Sequence, residues 1–292
     1  MKIAMSGASG FIGSHLAQFL TDEGHKIVPL ERQMFRPENK ALLCRALSEC
    51  DAVINLAGAP VNKRWTHTYK KQIYESRIGT TRALTRALKE ATPAPQVFIS
   101  TSAAGYYPSW GEWDEYNASH GNGFLSLLCC DWEEAARECP GTMRLVIPRY
   151  GVVLSREGGA LLPLLQAQRR LHAGIVIGNG EQPFPWISLP DLCRTYARLL
   201  GDNNMHGVYN FTSPGCVSQH ELARVLAQID GLSQLIAIPK FFFYLLYGES
   251  AQFFTEGQQV LSKRLQEAGF EFAHPSAEEF LSGGPVAEVS ED

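Results

Sequence analysis

No C-x-x-C pair occurs anywhere in this chain, although its 292 residues include seven cysteines: Cys44, Cys50, Cys129, Cys130, Cys139, Cys193 and Cys216. An odd set in a chain long enough to bury a core of its own argues against a disulfide framework, and for a reduced, cytoplasmic setting. Positive charge is also short. Lysine and arginine number 26 against 30 acidic residues, a formal net charge of -4, so the basic footprint that a phosphate backbone requires is missing and nucleic acid is excluded as an expected partner. A small anionic ligand is still allowed, because a local site does not need a positive whole. Long hydrophobic runs are absent as well. The most apolar stretch, Phe241 to Leu246, is bounded by Lys240 and Glu249 and falls far short of the roughly 20 residues that span a bilayer. Met1-Lys2 leads straight into IAMSG, too brief an apolar run for the core of a signal peptide, so neither export nor membrane insertion is expected. No repeat, low-complexity linker or metal-ligand spacing divides or marks the chain.

What the chain does have is alternation. Residues 2–6 form a short apolar run, a glycine segment follows, and Ile12, Leu16, Phe19 and Leu20 recur at helical spacing. Lys26 to Leu30 reads as a second strand, 38–48 as a short helix, and Ala52 to Leu56 as a buried third strand. One long helix is expected from about Thr68 to Ala91, a fourth strand from Gln96 to Ser100, a helix from about Leu125 to Glu138 stopped by Pro140-Gly141, and another strand from Arg144. Strands alternating with helices predict an α/β fold, a doubly wound parallel sheet covered on both faces, because parallel neighbours need crossover connections. Beyond Leu154 the pattern loosens, with a turn-rich 177–186, a helix near Asp191 to Leu200 and a strand VYNFT (208–212). Residues 1–154 are therefore expected to form a Rossmann-type domain whose sheet later segments complete, 155–282 a smaller substrate lobe, and 283–292 (GGPVAEVSED) a flexible tail.

Gly7-Ala8-Ser9-Gly10-Phe11-Ile12-Gly13 follows a strand and opens a helix at the start of a βαβ unit, the context in which a glycine turn binds a dinucleotide. Gly7 permits the tight turn, Gly10 lets the backbone approach a pyrophosphate, and Gly13 allows close helix packing, while free N–H groups from Ser9 to Ile12 face the anion. At the end of the second strand, Glu31 stands where an acid would hydrogen-bond the ribose hydroxyls of NAD. Arg32 argues for NADP, since a guanidinium there clamps a 2′-phosphate. Both cofactors stay open.

DAVINLAG (51–58), STSAAGYY (100–107) and FPWISLPDL (184–192), taken with the glycine turn, resemble the extended and atypical short-chain dehydrogenase/reductases of the epimerase/dehydratase superfamily. GAP (58–60) with KRW (63–65), ESRIGTTRAL (75–84), CCDWEEAA (129–136), RYGVVLS (149–155) and RLQEAGFEF (264–272) are similar, more narrowly, to its nucleoside-diphosphate-sugar epimerase-like subfamily, over residues 1 to about 282. The resemblance implies that Leu56, Ala57 and Gly58 line the cofactor, that Ser102 hydrogen-bonds the reacting carbonyl or hydroxyl, and that Tyr106 is the aromatic of the same strand-end motif. It also places Arg149 on the substrate side, as an anion clamp or a structural ion pair, and Trp186 in a substrate-lobe segment where Ser188 and Pro190 replace the family's usual histidine and aspartate.

One pattern is missing. Superfamily enzymes that exchange a hydride use Tyr-x-x-x-Lys, the lysine lowering the phenol's pKa. Here Leu125 stands at the tyrosine position, Cys129 at the lysine position and Arg77 at that of a helix asparagine. The remaining acid–base candidates are Tyr106, Tyr107, Cys129 and Asp131. A thiolate at Cys129 would be stabilised by a nearby Arg77; the competing reading makes Cys129 a small buried apolar residue, and Trp132 on the same helix face a core residue. The expectation is an NAD(P)-dependent epimerase- or oxidoreductase-like enzyme acting on a nucleotide sugar or another polar hydroxyl or carbonyl substrate. The alternative is a dinucleotide-binding redox sensor without turnover, which needs the glycine turn but no Tyr/Lys pair.

Overall fold

The computed structural model describes residues 1–283; the rest of the expected tail lies outside the described residues. The first half runs β1 (Lys2–Ser6), α1 (Phe11–Asp22), β2 (Lys26–Leu30), α2 (Lys40–Ser48), β3 (Ala52–Asn55), α3 (His67–Tyr74), α4 (Thr80–Leu88), β4 (Val97–Ser100), β5 (Ser102–Ala103), β6 (Glu112–Trp113), α5 (Phe124–Arg137) and β7 (Arg144–Tyr150). β1, β2, β3, β4, β7 and the later β13 (Gly207–Phe211) lie side by side in the order β13-β7-β4-β3-β1-β2, with β5 alongside β7, in a parallel sheet of seven strands. The near-continuous apolar composition of the central strands follows from burial on both faces. Along β1, Ile3 and Met5 point to the layer that holds Leu16 and Leu20 of α1, whereas Ala4 points to the layer of Leu43, Leu47, Leu84 and Leu88 from α2 and α4.

The second half comprises β8 (Val152–Ser155), β9 (Gly158–Gly159), α6 (Leu161–Leu171), β10 (Gly174–Ile177), β11 (Pro183–Phe184), β12 (Trp186–Ser188), α7 (Leu189–Gly201), then β13, β14 (Val217–Ser218), α8 (Gln219–Ile229), β15 (Leu235–Ile238), α9 (Lys240–Tyr247), α10 (Gln252–Thr255), β16 (Gln259–Val260), α11 (Lys263–Glu267) and α12 (Ala277–Ser282). Two of these pieces serve the main sheet and its core. The VYNFT strand is β13, paired in parallel with β7, and α7 contributes Leu192, Tyr196 and Leu199 to the core shared with α1. A separate cluster built on Trp186, Leu161, Leu165, Leu222 and Leu226 forms the core beyond the sheet.

The long helix expected over 68–91 is broken. Between α3 and α4, Glu75–Gly79 form a wide π-type turn. Such turns place one extra residue in the helix and often accompany functional sites. A single-helix reading missed it because the apolar spacing on either side is helical and nothing local marks the insertion.

Candidate active site

The chain reverses its direction of sheet growth at β1, with β2 on one side and β3 on the other, so the carboxyl ends of β1 and β3 flank the crevice where ligands of open α/β sheets bind. Gly7 sits there with φ +72°, and a Cβ on it would lie 2.9 Å from the Leu56 carbonyl; one on Gly13 would lie 2.1 Å from the Gly7 oxygen. Neither position admits a side chain. Gly10 differs: a Cβ would meet only the Gly7 oxygen, at 3.3 Å, and the residue is exposed. Nothing inside the protein strictly demands glycine at position 10, so its bare Cα leaves room for a ligand. Gly10 also caps α1 without any side-chain hydrogen bond, and the N–H groups of that first turn point at an open cradle that suits a pyrophosphate. Ser9 is exposed beside it. Phe11 turns sideways, its ring lying where a Cβ on Gly159 would come within 2.6 Å. The β8–β9 hairpin thus folds over the start of α1, tied down by His15 Nε2 to Glu157 at 2.9 Å. Ile12 packs against the α1 core.

Glu31 and Arg32 follow β2, both exposed. Glu31 accepts a hydrogen bond from Gln33, whereas Arg32 forms no hydrogen bond or ion pair among the described residues.

On the other wall of the crevice, Leu56, Ala57 and Gly58 leave β3, and the π-type turn grips the next residue from both sides. Ser76 Oγ accepts the Ala59 N–H at 2.9 Å, and Arg77 Nη1 donates to the Ala59 carbonyl at 2.9 Å and the Ile73 carbonyl at 3.4 Å. The Arg77 guanidinium stacks 5.2 Å from the Trp132 ring centroid and lies so close to Gly58 that a Cβ there would be 2.9 Å from its Cζ. Burial pushes its pKa down, opposed by Cys129 and Tyr69. Arg77 has no carboxylate partner among the described residues; its positive charge meets the Ala59 and Ile73 carbonyls and the face of Trp132 at this wall. Ser76 escaped sequence reasoning, since its role depends on the turn geometry. Asn55, fully buried, accepts from Ser6 and donates to Thr81 and Ser100, joining β1, β3, β4 and α4 below the crevice floor.

Ser102, Tyr106, Arg149 and Cys129 come together. Ser102 is 1% exposed and donates its hydroxyl to Glu133 Oε1 at 2.9 Å. Glu133 on α5 in turn holds Arg149 in a two-pronged pair, Nε to Oε1 at 2.7 Å and Nη2 to Oε2 at 2.9 Å. Arg149 Nη1 donates to the Tyr107 hydroxyl at 2.9 Å, and that hydroxyl donates to Asn210 Oδ1 at 2.8 Å. Arg149, 3% exposed, spends a donor from each of its three nitrogens on this network, which fits a structural ion pair rather than an anion clamp. The Ser102 proton is likewise committed to Glu133 and is not the free donor that the family comparison implies. Tyr106 lies flat against Arg149, 3.5 Å from guanidinium carbon to ring centroid, and its hydroxyl has no hydrogen bond among the described residues. Glu133 itself was missed; one acid among several on a helix carries no signal until Arg149, 16 residues away, is seen to reach it.

Cys129 is no thiolate. Burial, with Glu133 adding to it, pushes its thiol up to about 12 despite Arg77 nearby, and its Sγ lies 3.9 Å from the Ala103 carbonyl. Desolvation outweighs one cation because the thiol is wholly enclosed. Trp132 is buried, its indole N–H donating to Thr81 at 3.0 Å. Trp186 is also not a substrate contact: it is fully buried, stacked on Phe280, with its N–H on the Gly215 carbonyl at 2.7 Å. Asp191 is fully buried too, and besides Ser188 and Arg194 it accepts the backbone N–H groups of Ala273 and His274 at 2.8 and 2.9 Å.

Comparison with known proteins fits this arrangement. The model of the "NAD dependent epimerase/dehydratase family" matches residues 3–211, and a "Domain of unknown function (DUF1731)" matches 238–282. The human epimerase family protein SDR39U1 is 34% identical over 94% of this chain and 96% of its own. The crystal structure of its isoform 2 with NADPH superposes with a TM-score of 0.88 at 32% identity, covering 97% of this chain and 98% of that one. A nucleoside-diphosphate sugar epimerase from Corynebacterium glutamicum gives a TM-score of 0.76 at 26% identity, covering 99% of this chain and 59% of the other. A chloroplastic SDR39U1 homologue of Arabidopsis thaliana is 33% identical over 96% of this chain and 86% of its own.

Proposed function

The chain belongs to the NAD dependent epimerase/dehydratase family, and from that premise we propose that it is an NADP(H)-dependent enzyme of oxidoreductase or epimerase type, acting on a nucleotide sugar or another polar hydroxyl or carbonyl substrate. The carrying observation is the cradle at the start of α1, closed to side chains at Gly7 and Gly13 but open above Gly10. The N–H groups after Gly10 would hold the pyrophosphate, Leu56 to Gly58 would line the adenosine side, and Arg32, free of any protein partner among the described residues, would take the 2′-phosphate. That the relative with 34% identity has been solved with NADPH favours the phosphorylated cofactor. When bound, a nicotinamide exchanges a hydride with substrate. Arg77 replaces the missing lysine as the positive charge beside Cys129 and donates to a substrate oxygen that gains negative charge. Tyr106, with its free hydroxyl, supplies or accepts the proton, and the Glu133–Arg149 pair holds its ring in place.

A second reading is favoured by one observation: at the Tyr/Lys positions stand an aliphatic side chain and a neutral, enclosed thiol. A redox-sensing protein that binds the dinucleotide without turnover would show the same geometry.

Calorimetric titration with NADPH, NADP, NADH and NAD, followed by incubation of the best binder with nucleotide sugars and simple carbonyls under absorbance and product analysis, separates the two. Turnover lost in Arg77→Met and Tyr106→Phe, with cofactor affinity retained, is expected of the enzyme. Tight binding without product across the panel would leave the sensor. Arg32→Glu should weaken NADPH about tenfold or more and leave NADH unchanged, given about 1.5–3 kcal/mol for a charge-assisted hydrogen bond; equal effects on both would reject the 2′-phosphate assignment.

A further inference from the structure

In the second half of the chain, β10 and β15 form a two-stranded parallel sheet whose two edges are treated differently. The carbonyls of Gln234 and Ile238 receive the N–H groups of Gly174 and Gly178, so residues 234, 236 and 238 face β10, and the backbone groups of Leu235 and Ala237 face outward. On the β10 edge the matching outward groups are covered. The Gln219 side chain accepts the Ile177 N–H and donates to the Ile175 carbonyl, at 2.8 and 2.9 Å. On the β15 edge, no described residue bonds to the N–H or C=O of Leu235 or Ala237.

The chain passes from this open edge through Pro239 into α9, KFFFYLLY. Phe243 and Tyr247 stack on each other and pack at a tilt against Phe254, which anchors one side of the helix. The remaining side chains project outward: Phe241 is 67% exposed, Phe242 50%, Leu245 62% and Leu246 66%. With Tyr244, also exposed, they present an apolar helix face of roughly 400–700 Å², taking about 150–250 Å² for each fully buried large side chain. That is the size of the largest patch on a typical monomer, about 300–600 Å², which is often functional, and with the open β15 edge it approaches the roughly 800 Å² that each partner contributes to a stable interface.

We propose that this face is a self-association surface, and that two copies of the chain meet on it across a twofold axis. Antiparallel pairing of β15 with its own copy sets Ile236 opposite Ile236 and joins Leu235 to Ala237 of the other chain, each pair exchanging both backbone hydrogen bonds. Every outward group left open on β15 is then satisfied, and the two α9 helices bury their exposed side chains together. The same patch on both partners is what a twofold interface requires. Charge offers a foreign protein little to read, since Lys240 is the single charged residue in 232–247. A lipid surface fits less well, because hydrocarbon leaves a strand edge unpaired.

Light scattering on the full chain at micromolar concentration should give twice the 32.3 kDa chain mass. Phe241→Lys with Leu245→Lys, both at exposed positions, should return it to a single chain mass with unchanged circular dichroism and NADPH titration. Ala237→Pro removes an outward N–H without touching the bonds to β10 and should weaken the dimer about tenfold or more. Ile236→Cys in a Cys216→Ser background should form a disulfide between chains under mild oxidation. A single chain mass for the unaltered protein overturns the proposal, as does a dimer indifferent to these substitutions. A monomer that floats with phosphatidylcholine–phosphatidylglycerol vesicles would overturn it in favour of a membrane surface.

Discussion

Gly10 and Gly13 belong to the same motif, yet the physics at each is different. Gly13→Ala would drive a Cβ to 2.1 Å from the Gly7 oxygen, so the turn itself must open; a lowered melting temperature and lost dinucleotide binding are expected together. Gly10→Val should leave the protein folded, within about 1 kcal/mol of the parent, and remove binding, because the space it fills is the ligand's. Normal binding by Gly10→Val would show that the dinucleotide does not use this turn. Glu133 is the residue on which Ser102 and Arg149 depend. Glu133→Ala leaves a buried guanidinium unpaired and should cost about 3–5 kcal/mol in a denaturant titration. A loss below about 1 kcal/mol would mean that solvent reaches Arg149.

At the scale of elements, the turn at 75–79 and the helix α7 show one residue tying two segments together. Ser76 and Arg77 can hold Ala59 from both sides only because the extra residue in the π-type turn rotates them toward the β3 exit. In α7, Ser188 caps the N-terminus and Asp191 reaches across to the 273–274 backbone. Asp191→Asn puts an amide N–H against a backbone donor, and a loss of about 2–3 kcal/mol follows from the worth of hydrogen bonds to a charged acceptor. Amide exchange should accelerate first at Ala273 and His274; unchanged protection there would show that the C-terminal segment is held by packing alone.

The whole molecule should weaken on the alkaline side. Burial pushes Cys129 and Cys193 from 9.0 up to about 12, and it raises Tyr150 and Tyr196, whose hydroxyls meet, above 10.0. A group whose folded pKa exceeds its unfolded value favours folding fully below the unfolded pKa, and that contribution is lost as the pH climbs toward the folded one. Melting temperatures measured under reducing conditions should therefore decline steadily from about pH 9 upward, since a tenfold change in an ionisation equilibrium corresponds to about 1.4 kcal/mol. Flat melting temperatures between about pH 8 and pH 11 would contradict the enclosure of these groups. Thiol reagents at about pH 8 should likewise reach exposed Cys216 and spare Cys129.

Much of the architecture was legible from residue order alone. The glycine turn after a strand, the apolar runs of β1, β3 and β4, and the alternation of strand with helix rest on rules that act over a few residues, and they suffice to specify a doubly wound sheet and the crevice at its switch point. The residues of that crevice were legible only as neighbours. Ser102, Arg149, Cys129 and Trp186 were picked out by chemistry and motif, but what each does depends on partners far along the chain: Glu133 for the first two, Ala103 and Arg77 for the thiol, Phe280 and Gly215 for the indole. Arg77 owes its place at the β3 exit to an inserted turn that leaves no mark on the apolar spacing, and which later strand would complete the main sheet was settled only by the pairing of β13 with β7. Local order determined which elements form. Burial and long-range pairing, which exist only in the folded chain, decided which side chains stay free to act.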